Sequence, residues 1–149
     1  MTWLCYAPKV ARLLILAAAL SPLSAAAQLT SLDTGTYQVL DQQLKPIEMY
    51  YRLSLNAGKW MMEGRTPGKG WENISCDAGC EYRDSIAADV ASYFPMEWTA
   101  RLNITCIQNI AQAFCKGVER GNPARGMHIV VALVTGKPIL IFLRPSPGS

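Results

Sequence analysis

Histidine is nearly absent from this sequence: His128 is the one histidine in 149 residues. Ser-His-Asp and Cys-His catalysis therefore have a single candidate base, and its partners would have to be chosen without support from any motif. His128 also sits in an apolar run, where a lone imidazole more often serves as a hydrogen-bonded core or edge residue than as a base. Clustered charge is missing too. Once an N-terminal leader carrying Lys9 and Arg12 is set aside, 12 basic residues face 11 acidic ones. So even a balance gives no electrostatic footing for nucleic acid, and no polybasic run would hold the chain on an anionic membrane.

Long apolar runs are absent as well. Leu13–Leu20 is far shorter than the ~20 residues that span a bilayer. In the C-terminal stretch MHIVVALVTGKPILIFLR, Gly136, Lys137 and Pro138 interrupt the apolar run. No phosphate loop is present either. The GKG at 68–70 stands one residue too close to Gly64, and Gly70 occupies the position where Ser or Thr would hold magnesium.

What is there begins with a leader. Lys9 and Arg12, the apolar run, Ser21-Pro22 and then Ala25-Ala26-Ala27 follow the order of a secretory signal peptide. Cleavage after Ala27 would leave residues 28–149 as a single exported domain of 122 residues, periplasmic or secreted, with no membrane insertion. No cysteine follows the cut, which excludes lipid attachment there.

Residues 46–56, PIEMYYRLSLN, alternate cleanly: Ile47, Met49, Tyr51, Leu53 and Leu55 share one face. That predicts a strand with one face on the core. Residues 34–41 read as a shorter strand before it, and KWMMEGR as a third after the Asn56-Ala57-Gly58-Lys59 turn, making a meander. Trp71, in the loop beyond, reads as an anchor on the core. The C-terminal stretch reads as a hairpin about Thr135-Gly136-Lys137-Pro138, with both faces covered because polar alternation is lacking.

Two helices are expected between them. DSIAADVASYFP puts Ile86, Val90 and Tyr93 on one face, with Asp84 or Ser85 as cap and Pro95 as stop. NITCIQNIAQAFCKG carries the stripe Ile107, Ile110, Ala111 and Phe114, with Asn103 or Thr105 as cap and Gly117 as stop. The expected fold class is therefore α+β. It comprises an antiparallel sheet of about five strands, an N-terminal meander plus a C-terminal hairpin, with two short helices on one face.

Four cysteines remain after the leader: Cys76, Cys80, Cys106 and Cys115. In an exported chain they are expected to form structural disulfides. On one continuous helix Cys106 and Cys115 would lie ~13 Å apart along the axis, too far for a bridge. The helix reading thus crosslinks them to Cys76 and Cys80; two local bridges would require the helix to start only after Cys106. A thioredoxin-like centre wants two intervening residues, and here there are three. No second zinc knuckle is present. A copper set would have to draw on Cys76, Cys80, His128, Met61 and Met62, without the proline and scaffold that usually go with C-x3-C. No metal or other cofactor is expected.

Enzymatic function then rests on carboxylates alone. Glu63, Glu72, Asp77 and Glu81 fall near one loop and could do acid–base work on a glycan. The composition points away from an enzyme, toward a small non-catalytic binding protein of inhibitor or immunity type whose partner is another protein in the cell envelope. A cell-wall or glycan-acting enzyme is the second reading and a copper or redox protein the third; self-association is left open. The candidate partner-binding residues are Tyr93, Phe94, Met96, Trp98 and Arg101, since aromatic residues, Met and Arg are enriched at interface cores.

Overall fold

The structure is a computed structural model that describes residues 28–75 and 80–147. The expected leader, together with Cys76 and Asp77, lies outside the described residues.

The α+β expectation is overturned. The chain forms a nine-stranded, wholly antiparallel sheet, curved into a half-barrel, with little helix. A first meander contains β1 (Gly35–Leu40), β2 (Pro46–Asn56), β3 (Lys59–Arg65) and the two-residue β4 (Glu72–Asn73). A second runs through β5 (Arg83–Asp84), β6 (Leu102–Gln108), β7 (Gln112–Glu119), β8 (Asn122–Ala132) and β9 (Ile139–Pro145). The first strand pairs with the last, giving the order β4-β3-β2-β1-β9-β8-β7-β6-β5. Between β5 and β6 lie α1 (Ala87–Tyr93) and α2 (Met96–Arg101).

β1, β2 and β3 lie where the sequence pattern puts them. The β2–β3 connection is a two-residue turn with Ala57 at φ 48° and Gly58 at φ 76°. Both are left-handed, as the favoured hairpin turn requires, and the turn's twist matches that of the strands.

The expected second helix is instead the β6–β7 hairpin. Asn109 folds it: its Oδ1 accepts from the N–H groups of Ala111 and Gln112 at 2.9 and 3.0 Å. A side chain that bonds its own following backbone favours a turn over helix. Ile107 and Phe114 then face one way, while Cys106, Ala113 and Cys115 face the other, and all five are buried. Burial on both faces removes the polar alternation that marks a strand. Gly117, expected as a helix stop, sits within β7, where a Cβ would come within 3.3 Å of Met127 Cγ.

The same hairpin corrects the disulfides. Cys106 and Cys115 are directly opposed partners with Cα atoms 4.1 Å apart, and they are bonded to each other. Nine residues of separation that would keep them apart on a helix bring them together across a turn. Crossed bridges to the 76–80 segment are thereby excluded. Cys80 is also disulfide-bonded.

The sheet buries two clusters. On the concave face Tyr37, Val39, Leu53, Met62, Ile107, Phe114, Val130 and Leu143 pack together, drawn from both meanders. On the convex face of the second meander Cys106, Ala113, Cys115, Ile129 and Val131 lie under α1 and α2, with Phe94 completing the seam. Side chains of this size contribute roughly 1.5–3 kcal/mol each when fully buried. On the open side Ile74 and Ser75 after β4, and Tyr82 before β5, bond to β3 and β7. Ser75 Oγ accepts from Met62 N–H at 2.7 Å and donates to Met62 O at 3.0 Å. Gln112 Nε2 donates to Ile74 O and Tyr82 Oη, both at 2.9 Å.

Disulfide mapping by proteolysis and mass spectrometry should recover a Cys106–Cys115 fragment pair. The Cys106→Ala/Cys115→Ala chain should lose roughly 2–3 kcal/mol of stability. A crossed fragment pair would contradict the hairpin.

Candidate functional site

The convex face is half covered. α1 and α2 shield β6, β7 and β8, whereas the convex side of β1, β2 and β3 carries no helix. Alternation along β2 sends Ile47, Met49, Tyr51 and Leu53 inward and leaves Tyr50 and Arg52 outward. Register then sets Tyr50 opposite Gln38 on one side and Arg65 on the other, and Gln38 opposite Arg144. The result is a row across four strands: Arg144, Gln38, Tyr50, Arg65.

The row is linked side chain to side chain. Arg144 donates to Gln38 Oε1 at 2.7 and 3.2 Å, and Gln38 Nε2 lies 3.2 Å from Tyr50 Oη. The Arg65 guanidinium lies over the Tyr50 ring, 4.6 Å from its centroid. Trp71 folds back from the β3–β4 loop onto this face, with Arg52 at 4.4 Å and Arg65 at 5.1 Å from its ring. Arg52 is held by Glu63 at 2.7 Å, its partner in register. Arg65 has no carboxylate partner among the described residues, so its stacked, exposed fork keeps donors available. A shallow cleft of about 280 Å³ beside it is lined by Glu48, Tyr50, Arg65 and residues 66–69. Trp71 is therefore a surface clamp and not the core anchor expected of it.

The residues expected to bind a partner lie on the covered half. Phe94 is 4% exposed and stacks on Trp98 with centroids 6.0 Å apart. Trp98 in turn meets Phe142. Tyr93 is half-buried and hydrogen-bonds the Gln108 amide at 2.8 Å. That amide also donates to Ser85 Oγ at 2.6 Å and accepts from the Arg83 guanidinium at 2.8 Å, and Ser85 does not cap α1. Met96 is 79% exposed. Arg101 lines a cleft of about 300 Å³ with Glu97, Trp98, Leu102 and Met127. The structure thus joins Trp98 to Arg101 at one cleft, and places Phe94 and Tyr93 in the seam beneath the helices.

Among the described residues, side chains that the other two readings draw on point to different faces or are already paired. β3 alternation sends Met62 into the core and Met61 to the opposite face. Among the described residues no three His, Cys, Asp or Glu side chains stand close enough to hold a metal ion. Glu63 is bound by Arg52 and Glu81 by Lys59, while Glu72 is exposed on β4.

His128 belongs to a separate polar cluster at the mouth of the half-barrel. Its ring lies against Tyr37 and Phe114, with centroids 4.8 and 5.9 Å away. Beside it Lys116 pairs with the buried Asp33 at 2.6 Å. Burial opposes the Asp33 charge, but Lys116 and the Thr30 N–H outweigh it and hold the carboxyl below its usual 3.8. Burial, and then Lys116, push His128 below its usual 6.5. Burial also raises Tyr37 to about 12, so its hydroxyl, bonded to Asp33 O, stays protonated at neutral pH.

Comparison with known proteins yields no significant match: no family model fits this sequence, and no curated protein or solved structure is similar to it.

A depressed histidine pKa means that the unfolded chain binds the proton more readily. The stabilisation from neutral His128 is therefore complete above the unfolded value and is lost as pH falls through the folded one. The melting temperature should drop between about pH 7 and about pH 5, and His128→Gln should flatten that slope. An unchanged slope in the variant would show that His128 is not buried neutral.

Proposed function

We propose that this chain is a small, non-catalytic protein-binding module of inhibitor or immunity type. It would act in the periplasm or outside the cell, where a partner protein docks on the uncovered convex face of β1–β3. The observation that carries this reading is the row Arg144, Gln38, Tyr50, Arg65 with Trp71 stacked beside it. Tyr, Trp and Arg are the residue types in which binding energy concentrates at interfaces. Here they are fixed by stacking and cross-strand hydrogen bonds before any partner arrives. Side chains already ordered lose little rotamer freedom on docking.

The chemistry of the row indicates the partner's surface. Arginines stand at both ends, their strands three spacings or ~14 Å apart, with Arg65 stacked on Tyr50 and Trp71 beside it. A partner offering carboxylates that flank an apolar or planar group fits this arrangement, because Arg binds carboxylates through paired donors. The Cys106–Cys115 bridge suits an oxidising compartment.

Affinity capture from an envelope extract with the tagged folded unit, residues 28–149, should recover one saturable protein partner. Arg65→Ala and Trp71→Ala should each weaken it by about 2 kcal/mol, roughly thirtyfold, without lowering the melting temperature by much. Met96→Ser, on the helical half, should leave it unchanged. Capture that survives both Arg65→Ala and Trp71→Ala would move the binding face elsewhere.

A further inference from the structure

Strand direction sends the β1–β2, β3–β4, β6–β7 and β8–β9 connections to one end of the half-barrel. Among the described residues, four of the seven exposed large apolar side chains lie at that end: Leu44 (61%), Ile110 (83%), Val134 (74%) and Ile139 (49%). The β6–β7 and β8–β9 turns are tied together by Leu133 N–H donating to Ala111 O at 2.8 Å.

Leu44 is held there against its backbone preference. Its φ is 58°, in the left-handed region that a leucine rarely adopts. The turn fixes it through Leu44 N–H to Asp41 O at 2.9 Å, and through Asp41 Oδ1, which accepts from Gln43 and Lys45 N–H at 2.9 and 2.8 Å. Asparagine or glycine would take this conformation at less cost, and neither would present an apolar side chain. An apolar residue both strained and exposed points to a contact made outside the fold.

Charge identifies the contact. The four connections carry Lys45, Lys69 and Lys137 against one carboxylate, Asp41, which is occupied with its own backbone. Successive hairpin tips stand two strand spacings apart, ~10 Å. A protein would need a matching pocket for each separated apolar tip, whereas a fluid interface accepts them independently while its headgroups pair with the lysines.

We infer that this end of the half-barrel docks on an anionic lipid surface. Leu44, Ile110, Val134 and Ile139 enter the headgroup region, and Lys45, Lys69 and Lys137 meet the lipid phosphates. The chain does not span the bilayer. This surface adjoins the convex face proposed to bind protein, since Lys69 lines the cleft beside Arg65 and Trp71 belongs to the same β3–β4 connection.

Co-sedimentation of residues 28–149 with phosphatidylglycerol-containing vesicles, against pure phosphatidylcholine vesicles, tests it. This unit contains every described strand and helix and both core clusters. Binding is expected to the anionic vesicles, weakening as salt rises. Lys45→Glu with Lys137→Glu should lower it by at least about tenfold. Leu44→Asn with Val134→Asn should lower it comparably while keeping the melting temperature, since asparagine suits the left-handed turn. No binding above the phosphatidylcholine background would overturn the inference, as would variants that sediment like the parent. It would also be overturned if the Leu44→Asn/Val134→Asn chain lost a protein partner while the parent ignored vesicles.

Discussion

The pairing of β1 with β9 is the contact on which the rest of the molecule depends. Tyr37, Gln38 and Val39 lie opposite Pro145, Arg144 and Leu143, and these three pairs join two meanders that are otherwise separate in sequence. Without them each meander would present a row of unpaired backbone groups along β1 and β9, and no continuous concave face would exist. With them, Met62 from β3 and Phe114 from β7 share one core, both fully buried. Contacts between the ends of the chain are costly in loop entropy, so this junction needs the apolar burial it makes available.

From that junction follows the asymmetry of the convex face. α1 and α2 are short, seven and six residues, and reach across the second meander only. The first meander, attached edge-on through β1, keeps its convex side in solvent. Gln38 stands at the join, linking Arg144 on β9 to Tyr50 on β2. The cross-strand row is thus a direct consequence of strand order, as is the gathering of four connections at one end.

Local alternation made part of this legible. Ile47 to Asn56, the strands on either side and the C-terminal hairpin could be read from period and turn residues, because each has a solvent face or a Gly-containing turn. The β6–β7 hairpin could not, since a strand buried on both faces loses the alternating signal, and its apolar residues then mimic a helical stripe. Asn109, with Ile104, Thr105 and Ile107 ahead of it, was the available cue, as β-branched residues favour strands and Asn favours turns. As a helix this element would hold Cys106 and Cys115 ~13 Å apart along its axis; as a hairpin it sets them directly opposite each other. In the candidate site, the alternation of β2 exposed Tyr50 and Arg52, but no local pattern reveals which residues face them across β1, β3 and β9. The return of Trp71 between two arginines is likewise a tertiary fact. Tyr93, Phe94 and Trp98 also lie in the seam between the helices and the sheet, a placement that residue type does not reveal.

The junction can be observed directly by NMR through the methyl groups of Val39 and Leu143, directly opposed and both buried on the concave face. A nuclear Overhauser contact between them, with a second from Leu143 to His128, its register partner on β8, is the result the half-barrel predicts. Methyl contacts confined within each meander, with none between Val39 and Leu143, would contradict it.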